Sequence, residues 1–324
     1  FKDYTGEEAQ KRAEIKKMLV ETFERYGFQP VETPIIEYED FVKGDNKQDE
    51  AVSDIFKLQD KGKRNLALRY EFTFQLKRIA KNKKLPYKRY QIGEVFRDEP
   101  VSEKRLRQFM QCDVDTIGSD IKDEAEILAL TNDILTNLNI NPIILVNNRK
   151  LLNEILDDLK INKNKEQILR EIDKIDKIGE KQVRVNLKKL KAEKFLNSLK
   201  KGEKYFDKFQ GYKEIISLIE YCKTYDVKVL FSPTIVRGLS YYNGNIFEVK
   251  VKSKDGITKE SIVAGGSYKI DNIQATGISF GLERLSLLSN VKDKKEKYLI
   301  VSLEQDKEQI KLAGRLRSKG KSVS

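Results

Sequence analysis

Four groups of polar residues have the types and spacing to do chemistry: Glu71 with Thr73, Arg97 with Glu99, Gln111 with Asp115, and Arg237 with Tyr241 and Tyr242. Arg284 adds another cation at the start of a helical stretch, just after a glycine-rich strand end. A guanidinium suits phosphate oxygens, because its planar fork binds two of them at once and does not deprotonate. A carboxylate withdrawn from water suits an ammonium or another cationic group of a ligand. Taken singly, each residue fits a solvated surface as well as a site. Several arginines and carboxylates on one sheet are harder to place in solvent.

The clearest pattern lies in Arg89–Gly118, RYQIGEVFRDEPVSEKRLRQFMQCDVDTIG, which reads as two strands joined by a charged loop. From Arg105 on, Arg105, Arg107, Phe109, Gln111, Asp113 and Asp115 alternate with Leu106, Gln108, Met110, Cys112 and Val114. Alternation sends each set to its own face of a strand. One face is mostly apolar. The other is either a solvated surface or the floor of a site for a charged ligand.

What the chain lacks bounds the chemistry. There is no histidine in 324 residues, which removes Ser-His-Asp and Cys-His triads, a histidine base and His-ligated zinc. Catalysis must then run on carboxylates, arginines, tyrosines, a bound divalent ion or groups of the substrate. Two cysteines, Cys112 and Cys222, are too few for a disulfide framework and suit a reducing cytoplasm. No apolar run nears the roughly 20 residues that span a bilayer, and no signal peptide is expected. The net charge of +12, with pI near 9.3, favours a polyanionic partner such as nucleic acid. Gly-x-x-x-x-Gly-Lys-Ser/Thr and GxGxxG loops between a strand and a helix are absent, which weighs against P-loop and dinucleotide-type binding.

The elements that must position these groups follow from periodicity. Residues 6–26 form an amphipathic helix with Ala9, Ala13, Met18, Leu19, Phe23 and Tyr26 inward and Gly27 as its stop. PVETPII is extended, and residues 54–69 make a hairpin with its turn at Asp60–Lys63. A helix over 119–139 starts at Ser119 or Asp120. NPIILVNN is a short buried strand. Residues 149–226 turn rich in Lys, Glu, Leu and Ile at helical spacing, which predicts an insertion of roughly three to five helices with solvated charge. Strands resume over 227–251 and 261–268, and TGISFGLERLSLLSN runs from strand to helix. KYLIVSL and the helix after it restart a β-α pattern, so the sequence reads as cut within a second domain.

These segments together resemble the histidyl-tRNA synthetases, a class II family, and look most like its archaeal and eukaryotic branch. GFQPVETP resembles motif 1, LRYEFT the LRYDLT element, and RYQIGEVFRDEP with RLRQFMQCDVDTIG motif 2. VRGLSYYNG resembles the signature RGLDYY, AGGSY the signature GGRYD, and GISFGLER motif 3. The resemblance covers nearly all of residues 1–290, in six ordered elements. It implies an α+β fold: a class II catalytic domain over 1–290, whose mixed, mainly antiparallel sheet is flanked by helices. The helical insertion lies at about 149–226, and an α/β anticodon-binding domain begins over 296–324.

By the same resemblance, Glu71 and Thr73 bind the ammonium of histidine, and Gln111 contacts its main-chain end. Asp115 bonds the imidazole, and Tyr241 and Tyr242 close that pocket. Arg97, with Glu99 nearby, serves ATP at the α-phosphate and Arg284 at the γ-phosphate, while Arg237 neutralises charge that develops on the α-phosphate. The implied partners are histidine, ATP with Mg2+, tRNA(His) and a second copy of the chain through motif 1. The alternative is a non-catalytic regulator on the same fold, similar to the ATP phosphoribosyltransferase regulatory subunit or a sensor of uncharged tRNA. Two places depart from the family pattern: Ser240 stands for the aspartate of RGLDYY, and Ser267 and Lys269 stand for residues of GGRYD. Asp113 shares the polar face but gains no role from the resemblance. Asp115→Ala is expected to weaken histidine binding and spare ATP binding.

Overall fold

The computed structural model describes residues 2–43, 54–101, 106–237, 241–253, 256–258, 260–291 and 297–324. Helix α1 (Gly6–Arg25) is followed by β1 (Gln29–Pro30), β2 (Ile36–Tyr38) and α2 (Glu39–Lys43). Strands β3 (Lys57–Gln59) and β4 (Asn65–Leu68) form the expected hairpin, with β2 on its other side. Then come α3 (Leu76–Ala80), β5 (Tyr87–Phe96), β6 (Gln108–Ile117), α4 (Ile121–Asn137) and β7 (Pro142–Asn148). Asp120 caps α4 in a reciprocal box with Asp123, which satisfies two helix-end donors at once.

Five α-helices fill the stretch between β7 and β8: α5 (Arg149–Asp158), α6 (Lys165–Asp173), α7 (Ile175–Lys189), α8 (Glu193–Leu199) and α9 (Gln210–Thr224). Strands β8 (Val229–Phe231), β9 (Tyr242–Ser253), β10 (Gly256–Ile257), β11 (Val263–Ile270) and β12 (Ile273–Gly281) follow, and α10 (Leu282–Leu288) closes this part. The sequence also suggests a turn at Lys254, Asp255 and Gly256, of which residues 254–255 lie outside the described residues. At the end, β13 (Lys297–Tyr298) pairs in parallel with β14 (Ser322–Val323) across α11 (Asp306–Ser318).

The main sheet has the order β1-β5-β6-β12-β11-β9-β7-β8, with β10 beside β9. Its six middle strands are antiparallel, and only the outer pairs β1–β5 and β7–β8 are parallel. The sheet is therefore mixed and mainly antiparallel, as expected. Cys112 and Val114 of β6 join Phe23, Leu128, Ile278 and Phe280 in the core under α1 and α4. Phe23 meets Phe280 at 6.1 Å and Tyr90 at 5.4 Å between ring centroids. This helix-covered face is the apolar one predicted for β6. Among the described residues no helix is long and apolar enough to cross a membrane.

One inward stripe differs from its periodicity. In α1 the buried residues are Arg12, Ile15, Leu19, Thr22 and Phe23, while Ala13 is exposed. Arg12 turns inward because Glu283 of α10 pairs with it at 2.9 Å and Tyr4 stacks on its guanidinium at 3.7 Å. A polar partner on a distant helix outweighs the small apolar gain from alanine.

Candidate functional site

The polar face of the sheet opens into a cavity of about 1080 Å³. All ten residues singled out from the sequence line it: Glu71, Thr73, Arg97, Glu99, Gln111, Asp115, Arg237, Tyr241, Tyr242 and Arg284. Register explains part of this. Across β5, β6 and β12 the pairs are Arg89–Asp115–Gly277, Gln91–Asp113–Ser279 and Gly93–Gln111–Gly281. The polar face of β6 is thus buried, with Gln111, Asp113 and Asp115 each 7 % exposed or less. The solvated-surface reading of this strand fails. Of the residues expected on that face, Arg107 precedes the strand and Arg105 lies outside the described residues.

Asp115 sits in a tight setting. Arg89, wholly buried, reaches its Oδ2 through Nη2 at 2.6 Å, and the Tyr268 hydroxyl donates to its Oδ1. Gly277 stands directly across the strand pair, and a Cβ there would lie 2.0 Å from Asp115 Oδ1. Only glycine leaves room for the carboxylate. Tyr268, Tyr242 and Tyr241 form one aromatic wall, with Tyr241 centred 4.8 Å from Tyr242 and 5.6 Å from Tyr268.

Glu71 is buried between this wall and β6. Burial pushes its pKa up to about 8; Arg97 opposes that rise, and Asp113 and Asp115 add to it. Thr73 shares hydrogen bonds with both Glu71 and Tyr241. Glu71 Oε1 has no hydrogen-bond partner among the described residues, and leaving a buried polar oxygen in that state is costly unless a ligand pairs with it. Burial likewise raises Asp113 to about 7, against the pull of Arg89. This end of the cavity is a carboxylate-rich subsite for a cation.

The arginines mark the opposite character. Arg97 lies over the Phe109 ring at 5.1 Å and donates through Nε to the carbonyl of Tyr70 at 3.2 Å. Arg284 donates through Nη1 to the carbonyl of Ser261, whose hydroxyl donates to Glu248. Glu248 in turn lies 3.8 Å from Nη1 of Arg237. Two arginines from different elements thus share one anchor. Arg237 adopts φ +61°, a left-handed conformation that arginine seldom takes. Its backbone N–H donates to Asp173 of α6, and its side chain hydrogen-bonds Tyr242. Ser240 lies outside the described residues.

Several of these residues escaped the sequence reading. Arg89 and Gln91 alternate on β5 just as Gln111 and Asp113 do on β6, and that period was the signal available. Asp173, Glu248 and Ser279 carry no local signal. The charged face of α6 was expected to be solvated, yet Arg170, Asp173 and Lys174 line the cavity. Ser267 has the opposite outcome. The register shifts between Gly266 and Tyr268, and Ser267 is buried on the helix-covered side, where it donates to Glu124 of α4. Asn245 holds the other oxygen of Glu124 at 2.6 Å. That departure from the family pattern belongs to a buried hydrogen-bond network, and Lys269 is exposed.

The arrangement can hold a ligand that carries an ammonium at one end and phosphate-like oxygens at the other. Among the described residues no group of three or more Asp, Glu or Cys is arranged to hold a metal ion.

Comparison with known proteins bears on what that ligand is. The model of the histidyl-tRNA synthetase family matches residues 1–285. A histidine–tRNA ligase of Bacillus cereus is 36% identical, over 87% of this chain and 72% of its own length. Among solved structures, a histidyl-tRNA synthetase from a Nostoc species superposes with a TM-score of 0.84 at 24% identity, covering 100% of this chain and 84% of that one. A protein of Bacillus halodurans described as an ATP phosphoribosyltransferase regulatory subunit/histidyl-tRNA synthetase reaches the same TM-score at 21% identity, covering 100% and 90%. At those identities the two structures speak for the fold alone.

Proposed function

Since the chain belongs to the histidyl-tRNA synthetase family, we propose that its cavity activates histidine with ATP and passes the product to tRNA(His). The protein is an aminoacyl-tRNA synthetase, a histidine–tRNA ligase. Histidine and ATP give histidyl-adenylate and pyrophosphate, and the histidyl group then moves to the 3′ end of the tRNA. The observation that carries the assignment of roles is that all ten residues given a role in ligand binding or chemistry line one cavity.

In this reading the histidine ammonium rests against Glu71 and Thr73, and Gln111 contacts the main-chain end of the amino acid. The imidazole faces Asp115 beneath Tyr241 and Tyr242. Arg97, with Glu99 beside it, grips the α-phosphate of ATP, and Arg284 the γ-phosphate. Arg237 meets the charge that grows on the α-phosphate as the histidine carboxylate attacks. The nucleophile is already an anion, so the step needs positioning and electrostatic stabilisation rather than a general base. That accounts for a working site in a chain without histidine. Mg2+ would come with the phosphates of ATP and offset their charge.

Further proposals extend the reading. Residues 1–290, with the insertion at about 149–226, form the catalytic unit, and 296–324 begin the anticodon-binding unit. The β-α-β order of β13, α11 and β14 supports that boundary. A homodimer forms through the motif 1 region, where Ile35, Ile36 and Tyr38 are exposed. The protein works in the cytoplasm, and its basic charge engages tRNA phosphates with an affinity that falls with salt. The relatives above are bacterial and lend no support to the archaeal and eukaryotic-like affinity suggested by the sequence. A purely regulatory role is not favoured, because the curated relative is named a ligase and all three phosphate-directed arginines line the cavity.

The test is the charging of tRNA(His) with labelled histidine by the purified protein. Acid-precipitable histidine that depends on ATP supports the assignment, and none with folded protein refutes it. Glu71 supplies a second expected result. Its carboxyl, held near pKa 8 by burial, is largely protonated at pH 7, and an ammonium bound beside it drives the proton off. Histidine binding at pH 7 therefore releases close to one proton, and affinity grows up to about tenfold for each pH unit toward 8. Calorimetry in two buffers of different protonation enthalpy reads this directly. Glu71→Gln removes the proton release, and no buffer dependence in the wild type would contradict the assignment.

A further inference from the structure

Asp113 is the buried carboxylate that the family resemblance leaves without a part. It stands between Gln111 and Asp115 on β6 and is flanked in register by Gln91 and Ser279. Gln111 Nε2 lies 3.2 Å from Asp113 Oδ1 and 3.1 Å from Oδ2, and 2.9 Å from Ser279 Oγ. An amide nitrogen has two hydrogens to give, and Asp113 in its ionised form, which prevails above about pH 7, can only accept. Both donors of Gln111 are therefore drawn back toward Asp113 and Ser279, and the amide oxygen is what remains. Oε1 of Gln111 is shielded from solvent and has no partner among the described residues, although the residue lines the cavity. Oε1 of Glu71 is in the same state. Two partnerless acceptors in one pocket wall call for a donor from the ligand.

We propose that Asp113 is a positioning residue that locks the Gln111 amide with its oxygen toward the substrate, so that Gln111 and Glu71 together accept hydrogen bonds from the substrate ammonium. The proposal rests on the histidine-activating reading of the cavity and deepens it. A reversed amide would set the carbonyl oxygen of Gln111 against the Asp113 carboxylate and aim an NH2 group at a cation. Both contacts are repulsive, so the negative charge of Asp113 fixes the polarity of its neighbour. The selectivity that results favours amino acids over their des-amino analogues and is separate from recognition of the ring.

The test compares three ligands by calorimetry: L-histidine, histidinol, which keeps the ammonium, and imidazole-4-propionate, which lacks it. Asp113→Asn keeps the shape but can donate to the Gln111 oxygen and so frees the amide to turn. It is expected to weaken histidine and histidinol about tenfold, as the loss of one charge-assisted hydrogen bond does, while imidazole-4-propionate and ATP change less than about twofold. Adding Gln111→Glu, an acceptor in either orientation, should restore the discrimination; a merely structural Asp113 would not be rescued this way. Ser279→Ala removes the second anchor of the amide nitrogen without touching a charge and should shift the same ratio in the same direction. Equal losses for all three ligands, or unchanged ratios in Asp113→Asn and Ser279→Ala, overturn the role of Asp113. Wild-type protein that fails to bind histidine at all overturns the reading beneath it as well.

Discussion

Asp115→Ala is expected to damage the fold more than the ligand site, lowering stability by about 3–5 kcal/mol, the usual cost of stripping one partner from a buried ion pair. Arg89 is 0 % exposed, and its Nη2 meets Asp115 at 2.6 Å. None of the three guanidinium nitrogens makes a well-aligned hydrogen bond among the described residues, so the ion pair is the contact that compensates the charge. Without the carboxylate a buried cation loses its main counter-charge, and the Tyr268 hydroxyl loses its acceptor. Such a loss is a large part of the roughly 5–15 kcal/mol that holds a domain together. The clean loss of histidine binding that the sequence alone predicts for this variant thus gives way to a defect in folding. Asp115→Asn also loses the counter-charge to Arg89 but keeps an oxygen acceptor for Arg89 and Tyr268, so its loss of stability should be smaller and ligand binding can be read on the folded fraction. Arg89→Met combined with Asp115→Ala should recover part of the stability, since no charge is then stranded. Urea denaturation measures all three, and an Asp115→Ala protein within about 1 kcal/mol of wild type would contradict the ion-pair argument.

Arg237→Ala is expected to slow adenylate formation by about 10²–10³-fold, the range seen when one preorganised donor to a developing charge is removed. Histidine should bind within a few-fold of wild type, because the cation subsite is built from other residues. Arg237 is held on several sides: Glu248 at 3.8 Å, the Tyr242 side chain, and Asp173, which accepts its backbone N–H. A left-handed arginine costs on the order of 1 kcal/mol or more and persists only where its surroundings over-determine it. Arg237→Lys should lose most of the rate too, since a point charge lacks the fork. Pre-steady-state adenylate formation with saturating substrates separates the two effects. A rate within threefold of wild type in Arg237→Ala would remove this residue from the chemistry.

The β6 face was legible because polar and apolar residues alternate over several positions, and the cavity contains the members Gln111, Asp113 and Asp115. Arg89 obeys the same alternation one strand away, but beside Lys88 it looks like a surface residue until its partner strand is known. Glu248 and Asp173 act through contacts between segments distant in sequence, and no local period reports them. Ser267 stood out in the sequence because it departs from the GGRYD signature of the family. Successive strand residues face opposite sides, so Ser267 points away from Tyr268 to the far face, where it serves Glu124. The hairpin at β3–β4, the Asp120 cap and the run of helices after β7 were legible because turn residues, capping chemistry and helical spacing are local.

The most direct measurement is histidine-dependent exchange of labelled pyrophosphate into ATP by the purified protein with magnesium. The account predicts exchange that requires histidine, saturates with it, and is not supported by other amino acids. Folded protein that gives no exchange at saturating histidine, ATP and magnesium would contradict it.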